Sequence, residues 1–423
     1  MFAADATDPV LTDLQTQNRE LRQEVQSQQR QIDELRQRLD ALQNAGPRPR
    51  VEPRPAPPEP EPPARTEPVA LRAAHEIRVS GEAGLAFFKS GDLGTYPNGG
   101  FHVDDAKIYL EAPVWNNVYV FAGLELATRE AIDEEVHRGE VYADVEDLLT
   151  AGHDYTLNLR VGRFNIPFGE EYQFRGSVDN PLITHSVADL WGYDQGVEIY
   201  GKLGPVGYVV AVQNGGSSTL HDFAADKSAT ARLSLHPLPP LELSASAHRS
   251  GQLDRTNDVF SEIWFGGAFF RPLGAAAPPQ TFSASLFQGD AAWRWKQGHL
   301  KAAAGLARYD DDHPAANDAR RLQFYSIEIL QQLADKLYGA ARYSAVHAPA
   351  GYPIAGQGNA GKYFYNPYAP LTTDLHRLSL GLDYRFGPPL VWKVEYSWES
   401  GRLVGGAKRT DEDQFSTELG LKF

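Results

Sequence analysis

The chain has 423 residues, 42% of them hydrophobic, a formal net charge of −15 and no cysteine. The acidic balance argues against a nucleic-acid partner, and the lack of thiols excludes a disulfide framework, a thiol nucleophile, a thiolate metal site and a lipidated amino-terminal Cys. No apolar run approaches the roughly 20 residues that a spanning helix needs. Nor does an apolar signal-peptide core follow Met1, so the chain is expected to begin at a mature end near Ala3-Ala4-Asp5 or at an added Met.

The first 45 residues read as an α-helical coiled coil. Leu11, Asn18, Val25, Ile32 and Leu39 fall at a positions of a heptad, and Leu14, Leu21, Gln28, Leu35 and Leu42 at d. The apolar stripe is narrow and flanked by Gln, Arg and Glu, which suits self-association, with Asn18 and Gln28 fixing the register at some cost in stability. Residues 46–75 follow as a linker, with ten prolines between Gly46 and Pro68. Such a composition favours extended polyproline II, cannot build a core, and reaches about 70 Å at ~3.1 Å per residue.

From residue 76 to 423 the pattern changes to short alternating segments, rich in the chain's 19 Tyr, 20 Phe, 7 Trp and 38 Gly. The expected fold is all-β, a transmembrane antiparallel β-barrel of about sixteen strands, since one face of each strand meets lipid, the other water, and aromatics mark the interfaces. Tight turns at 112–117, 203–207, 236–240, 296–299, 333–336 and 386–389 alternate with longer polar connections. Residues 250–280 read as one of the longer loops; a further strand pair there would make eighteen. Apolar Val118, Val120, Ala122, Leu124 and Leu126 put Glu125 and Arg129 on the lumen side of the third strand, and Ile108 and Leu110 do the same for Asp105, Lys107, Tyr109 and Glu111 in the second. Arg138, Glu140, Tyr142 and Asp144, then Asn158 and Arg160, follow as inward residues of the fourth and fifth. A lumen charged with both signs implies water inside.

The last ten residues, QFSTELGLKF, alternate strictly and end on Phe423. They resemble the closing strand of a bacterial outer-membrane barrel, in which the terminal aromatic is read by the insertion machinery. A more specific likeness lies at LNLRVGR followed by FNIPFGEEYQFRGSVDNPLITHSVADLWG, residues 157–192. This segment resembles the phosphate-selective porin O and P family, in which the third outer loop folds into the channel. The resemblance implies a sixteen-stranded homotrimer in the outer membrane of a Gram-negative-type bacterium, in contact with lipid and lipopolysaccharide, with the amino-terminal region in the periplasm. It implies that Arg160, Arg163, Glu170, Glu171, Arg175 and Asp179 lie nearest the constriction, with Lys107, Glu125, Arg129 and Arg138 on the facing wall. The family's anion preference rests on a ladder of Arg and a Lys cluster. Here Glu170, Glu171 and Asp179 share the loop with Arg163 and Arg175, which weakens that expectation.

No catalytic or cofactor motif accompanies the barrel pattern. There is no HExxH, no GxSxG and no Gly-rich phosphate loop, and Asp310-Asp311-Asp312-His313 lacks the spaced ligation of a calcium loop. The expected function is therefore non-enzymatic, without cofactor: passive diffusion of ions and small hydrophilic solutes. The rival reading is an anchor whose coiled coil tethers the barrel to peptidoglycan or another cell-wall layer. If the coiled coil adds to a trimer held chiefly by barrel walls, deleting residues 1–70 leaves folded trimers that dissociate more readily on heating. Native mass spectrometry of the intact protein and heated gel shifts of the truncated form check this; an intact monomer would sink it.

Overall fold

In the computed structural model the described residues are 76–127, 136–152, 154–190, 192–215, 226–254, 281–311, 319–354 and 371–423. They all belong to the second of two compact units, 1–70 and 71–423. The expected coiled coil, the linker, Arg129, Asp312, His313 and residues 255–280 lie outside the described residues.

The strands are β1 (Arg78–Ser90), β2 (Gly100–Trp115), β3 (Val118–Ala127), β4 (His137–Thr150), β5 (Tyr155–Asn165), β6 (Tyr193–Leu203), β7 (Val206–Gln213), β8 (Ser228–Leu238) and β9 (Leu241–Arg249). They continue with β10 (Leu253–Asp254), β11 (Thr281–Trp295), β12 (Gly298–Asp311), β13 (Arg320–Ala334), β14 (Leu337–Pro353), β15 (Leu371–Gly387), β16 (Leu390–Leu403), β17 (Lys408–Arg409) and β18 (Gln414–Lys422). Here β10 and β17 are two-residue stretches beside β11 and β16. The other sixteen form one antiparallel ring in chain order, closed where β1 pairs with β18 from Glu82 opposite Lys422 to Ser90 opposite Gln414. A barrel of sixteen strands is what the alternation predicts, without a further long strand pair among the described part of 250–280.

Seven tight turns join the strands at the end where the chain closes, and the long connections lie at the other. Six of the seven turns are the expected ones. The seventh, between β4 and β5, is not foreseen; it follows a register break between Val145 and Leu149.

Alternation works inside out relative to a soluble protein. Val120, Leu124 and Leu126 on β3, Val210 and Val212 on β7, and Leu378, Leu380 and Leu382 on β15 are exposed on the outer face. Trp115, Tyr155, Trp295, Phe386, Trp392 and Phe423 are exposed near the turn end, as an interfacial aromatic band requires. Meanwhile Asp144, Glu198, Arg377, Asp383, Lys393 and Glu395 are buried on the inner face. No described helix is long and apolar enough to cross a membrane.

Both ends of the barrel sequence meet at the seam. The Gly81 N–H donates to the Phe423 carbonyl at 3.0 Å, and the Phe423 N–H to the Gly81 carbonyl at 2.9 Å. A Cβ at Gly81 would stand 2.6 Å from the Phe423 ring and 2.7 Å from the Lys107 carbonyl oxygen. Gly81→Val should therefore destabilise closure by about 1–3 kcal/mol through overpacking. Its signature is a lower temperature for the heat-induced shift in gel mobility, and an unchanged transition would mean that the seam yields without strain.

Candidate lumen constriction

Residues 166–192 connect β5 to β6 and turn inward. Ile166, Phe168, Val187 and Leu190 are buried against Phe282, Leu286, Tyr309, Phe324, Tyr352 and Leu375, inner-face residues of β11 to β15. An apolar cluster inside a charged ring is explained by this loop, which covers that part of the wall and removes it from water.

Polar anchors fix the tip of the loop across the lumen. Glu395 on β16 accepts from the N–H groups of Ile183 at 2.6 Å and Thr184 at 2.9 Å, and from the Thr184 hydroxyl. Arg342 on β14 donates to the Thr184 carbonyl and to Asn180 Oδ1, each at 2.7 Å, while its own charge is met by Glu328. Lys393 donates to the Asn180 carbonyl at 2.6 Å, Arg377 to the His185 carbonyl at 3.1 Å, and Ser344 Oγ accepts from the Val187 N–H at 3.1 Å. On the other flank the loop presses against the seam. A Cβ at Gly420 would lie 2.6 Å from the Ser177 carbonyl oxygen, so only glycine lets the two backbones approach this closely.

Among the described residues a cavity of about 400 Å³ opens between the loop and β1 to β4 with β6. The loop contributes Tyr172, Gln173, Arg175, Gly176 and Asp179; the wall contributes Glu82, Lys107, Tyr109, Phe121, Glu125, Glu140 and Tyr193, with Lys422 and Phe423 from the seam. Carboxylates and cations alternate around it. Lys422 ion-pairs with Asp179 and lies 3.9 Å from Glu82, Lys107 lies 3.7 Å from Asp105, and Arg175 pairs with Asp189.

Of the residues singled out from sequence, Lys107, Glu125, Arg175 and Asp179 line this opening. Arg160 instead bridges Asp144 at 2.9 Å and Glu198 at 3.0 Å within the wall. Arg163 donates to the Gly139 carbonyl at 3.0 Å and lies over the Tyr193 ring. Glu170 pairs with Arg232, and burial pushes its carboxyl above the usual range against the pull of that guanidinium. Glu171 turns back into the loop, accepting from the Ser186 N–H at 2.8 Å and hydroxyl at 2.6 Å. Arg138 is exposed and sits in register opposite the outward Leu124, because the β3–β4 ladder slips between Ala122 and Leu124. Glu82, Phe121, Tyr193, Lys422 and the anchor Arg342 were not singled out. Phe121 was within reach, since alternation with Val120 and Ala122 sends it inward.

Glu171, His185 and Asp189 bring three potential metal-ligating atoms within 4.8 Å of one another. The Arg175 guanidinium already neutralises Asp189, and Ser186 occupies Glu171, so this group reads as an internal brace of the loop.

No family model matches the chain, and no curated protein matches its sequence. Solved structures match its fold. The outer membrane channel DcaP of Acinetobacter baumannii superposes with a TM-score of 0.55 at 13% identity, over 83% of this chain and 98% of that one. OmpT, an outer membrane protein of Vibrio cholerae, gives 0.53 at 12% over 82% and 97%, and the anion-selective porin from Comamonas acidovorans 0.51 at 9% over 82% and 98%. At such identities the likeness is one of fold: a porin-type barrel.

The anchor network makes a sharp expectation. Glu395→Ala strips the acceptor from two backbone N–H groups and a hydroxyl and leaves Lys393 and Arg342 with less countercharge. Removing one member of a buried ionic network costs about 3–5 kcal/mol. Calorimetric melting of the detergent-solubilised variant should show that loss, together with faster amide exchange at residues 180–187; exchange unchanged there would mean that the apolar cluster alone holds the loop.

Proposed function

We propose that the chain is an outer-membrane porin that lets ions and small hydrophilic solutes diffuse passively through its lumen. The observation that carries this reading is the cavity with charged lining left between the inserted loop and one half of a closed barrel. An interior lined by ionised groups of both signs stays hydrated, and a loop pinned to the opposite wall sets a fixed size limit without a moving gate. A barrel acting only as a membrane anchor has no use for a charged, unfilled passage, so the cavity favours the channel over the tether.

The charge pattern supports weak ion selectivity. The cations of the opening are each held by a carboxylate, which blunts the anion preference carried by the phosphate-selective resemblance. A homotrimer, with the amino-terminal helix in the periplasm and lipid and lipopolysaccharide against the outer face, belongs to the same proposal. OmpT of Vibrio cholerae has been solved in a trimer form, which gives the barrel type a precedent.

Planar-bilayer recording tests the proposal. Replacing residues 168–182 with a short Gly-Ser link should raise single-channel conductance several-fold, since the loop occupies lumen, and reversal potentials in asymmetric KCl should stay within a few millivolts per decade of zero. Wild-type protein that inserts without conducting would overturn the channel reading.

A further inference from the structure

One wall of the opening carries Tyr109 and Phe121, the first two members of a stack of three rings. Tyr109 on β2 stacks on Phe121 of β3 with centroids 5.7 Å apart, and Phe121 stacks on Tyr142 of β4 at 5.1 Å. All three rings are half-buried on the inner face. The Arg160 guanidinium lies 4.3 Å from the Tyr142 centroid, so the end of this run already holds a planar cation against its ring face.

The charges beside the rings are not evenly matched. Lys107, Arg175 and Lys422 each face a carboxylate, as described above. Glu125 and Glu140 have neutral partners instead: the Tyr193 hydroxyl donates to Glu125 at 2.8 Å, and the Asn165 N–H to Glu140 at 2.9 Å. Among the described residues neither carboxylate has a cation within ion-pairing distance. Two carboxylates with spare acceptor capacity therefore lie beside two aromatic rings, around an open space of about 400 Å³. An inorganic cation is served by the carboxylates alone and an aromatic anion by the rings alone. Only an organic cation with a flat apolar face uses both.

Resting on the channel reading, we infer that this opening is a binding and selectivity site for small organic cations bearing an aromatic or similarly flat face. The cationic group sits between Glu125 and Glu140, and its apolar face lies against the Tyr109 and Phe121 rings that line the opening. The preference arises beside the inserted loop, where a solute sheds part of its water and contact with the wall counts most.

The test compares three probes on the full-length protein in KCl: benzyltrimethylammonium, tetramethylammonium and benzoate. Benzyltrimethylammonium should block the current at concentrations about tenfold lower than either other probe, the scale expected of one desolvated cation–π contact. Phe121→Ala should erase most of that advantage. Glu125→Gln should weaken the block by both cations and leave benzoate unaffected. Phe121→Leu, which keeps the volume and loses the π face, serves if the alanine variant fails to fold, and the same loss is expected. Equal block by benzoate, or an unchanged block in Phe121→Leu, overturns the inference. Titration calorimetry of the solubilised protein with the same probes reads binding whether or not current flows. Failure of the channel and failure of this site are thereby told apart: a silent bilayer with tenfold tighter aromatic-cation binding rejects only the first.

Discussion

Every backbone N–H and C=O of a sheet surrounded by lipid must find its partner within the sheet, because hydrocarbon offers none. Much of this molecule follows from that requirement. It forces closure, and closure brings β1 against β18, where the two ends of the barrel sequence exchange backbone hydrogen bonds between Gly81 and Phe423. It also assigns the side chains, since a strand with lipid on one face and a lumen on the other must place apolar groups outward and can place charged ones inward. The charged interior is thus a consequence of closure at this width, not a separate feature added to it.

The inserted loop divides that interior into two unequal parts. Toward β11 to β16 it fills the lumen, with an apolar cluster around Phe168 and Val187 and a layer of buried ionic contacts around Glu395 and Arg342. The two layers act differently. Apolar burial supplies attraction without direction, whereas the hydrogen bonds from Ile183, Thr184 and Asn180 fix which residue of the loop meets which residue of the wall. Toward β2 to β4 no described residue fills the space, and the wall there keeps its charged side chains. The apolar cluster explains why β11 to β15 carry inward Phe, Leu and Tyr at the positions that the loop covers.

Strands whose inner face stays wet were legible in the sequence, and strands covered by the loop were less so. In β3, Val120, Leu124 and Leu126 alternate with Phe121 and Glu125, and the period reads directly. In β1, Ala86 and Phe88 point inward and are buried with Ile183 of the loop, so apolar residues occupy both faces and the period fades. Alternation gives a residue's side but not its partner. Lys393 and Glu395 could be read as inward, yet their contacts with Asn180 and Ile183 span more than 200 residues of sequence and follow from no local rule. The loop's entry into the lumen was suggested by the family likeness of residues 157–192. The turning of Glu171 back onto Ser186 was not, because a carboxylate chooses between open water and a nearby N–H by geometry that composition does not record.

The loop is covalently held at β5 and β6 and pinned in its middle to β14, β15 and β16, so it acts as a strut across the ring. A thin cylinder resists stretching along its wall but flattens easily under sideways load; a strut along one diameter opposes that flattening. Lateral pressure from the surrounding bilayer would then be carried by the Glu395 and Arg342 attachments, and the aperture beside the strut would widen or narrow only as far as the unbraced half of the wall can bow. The strut thereby limits how far lateral load can deform the aperture, through a segment held inside the barrel.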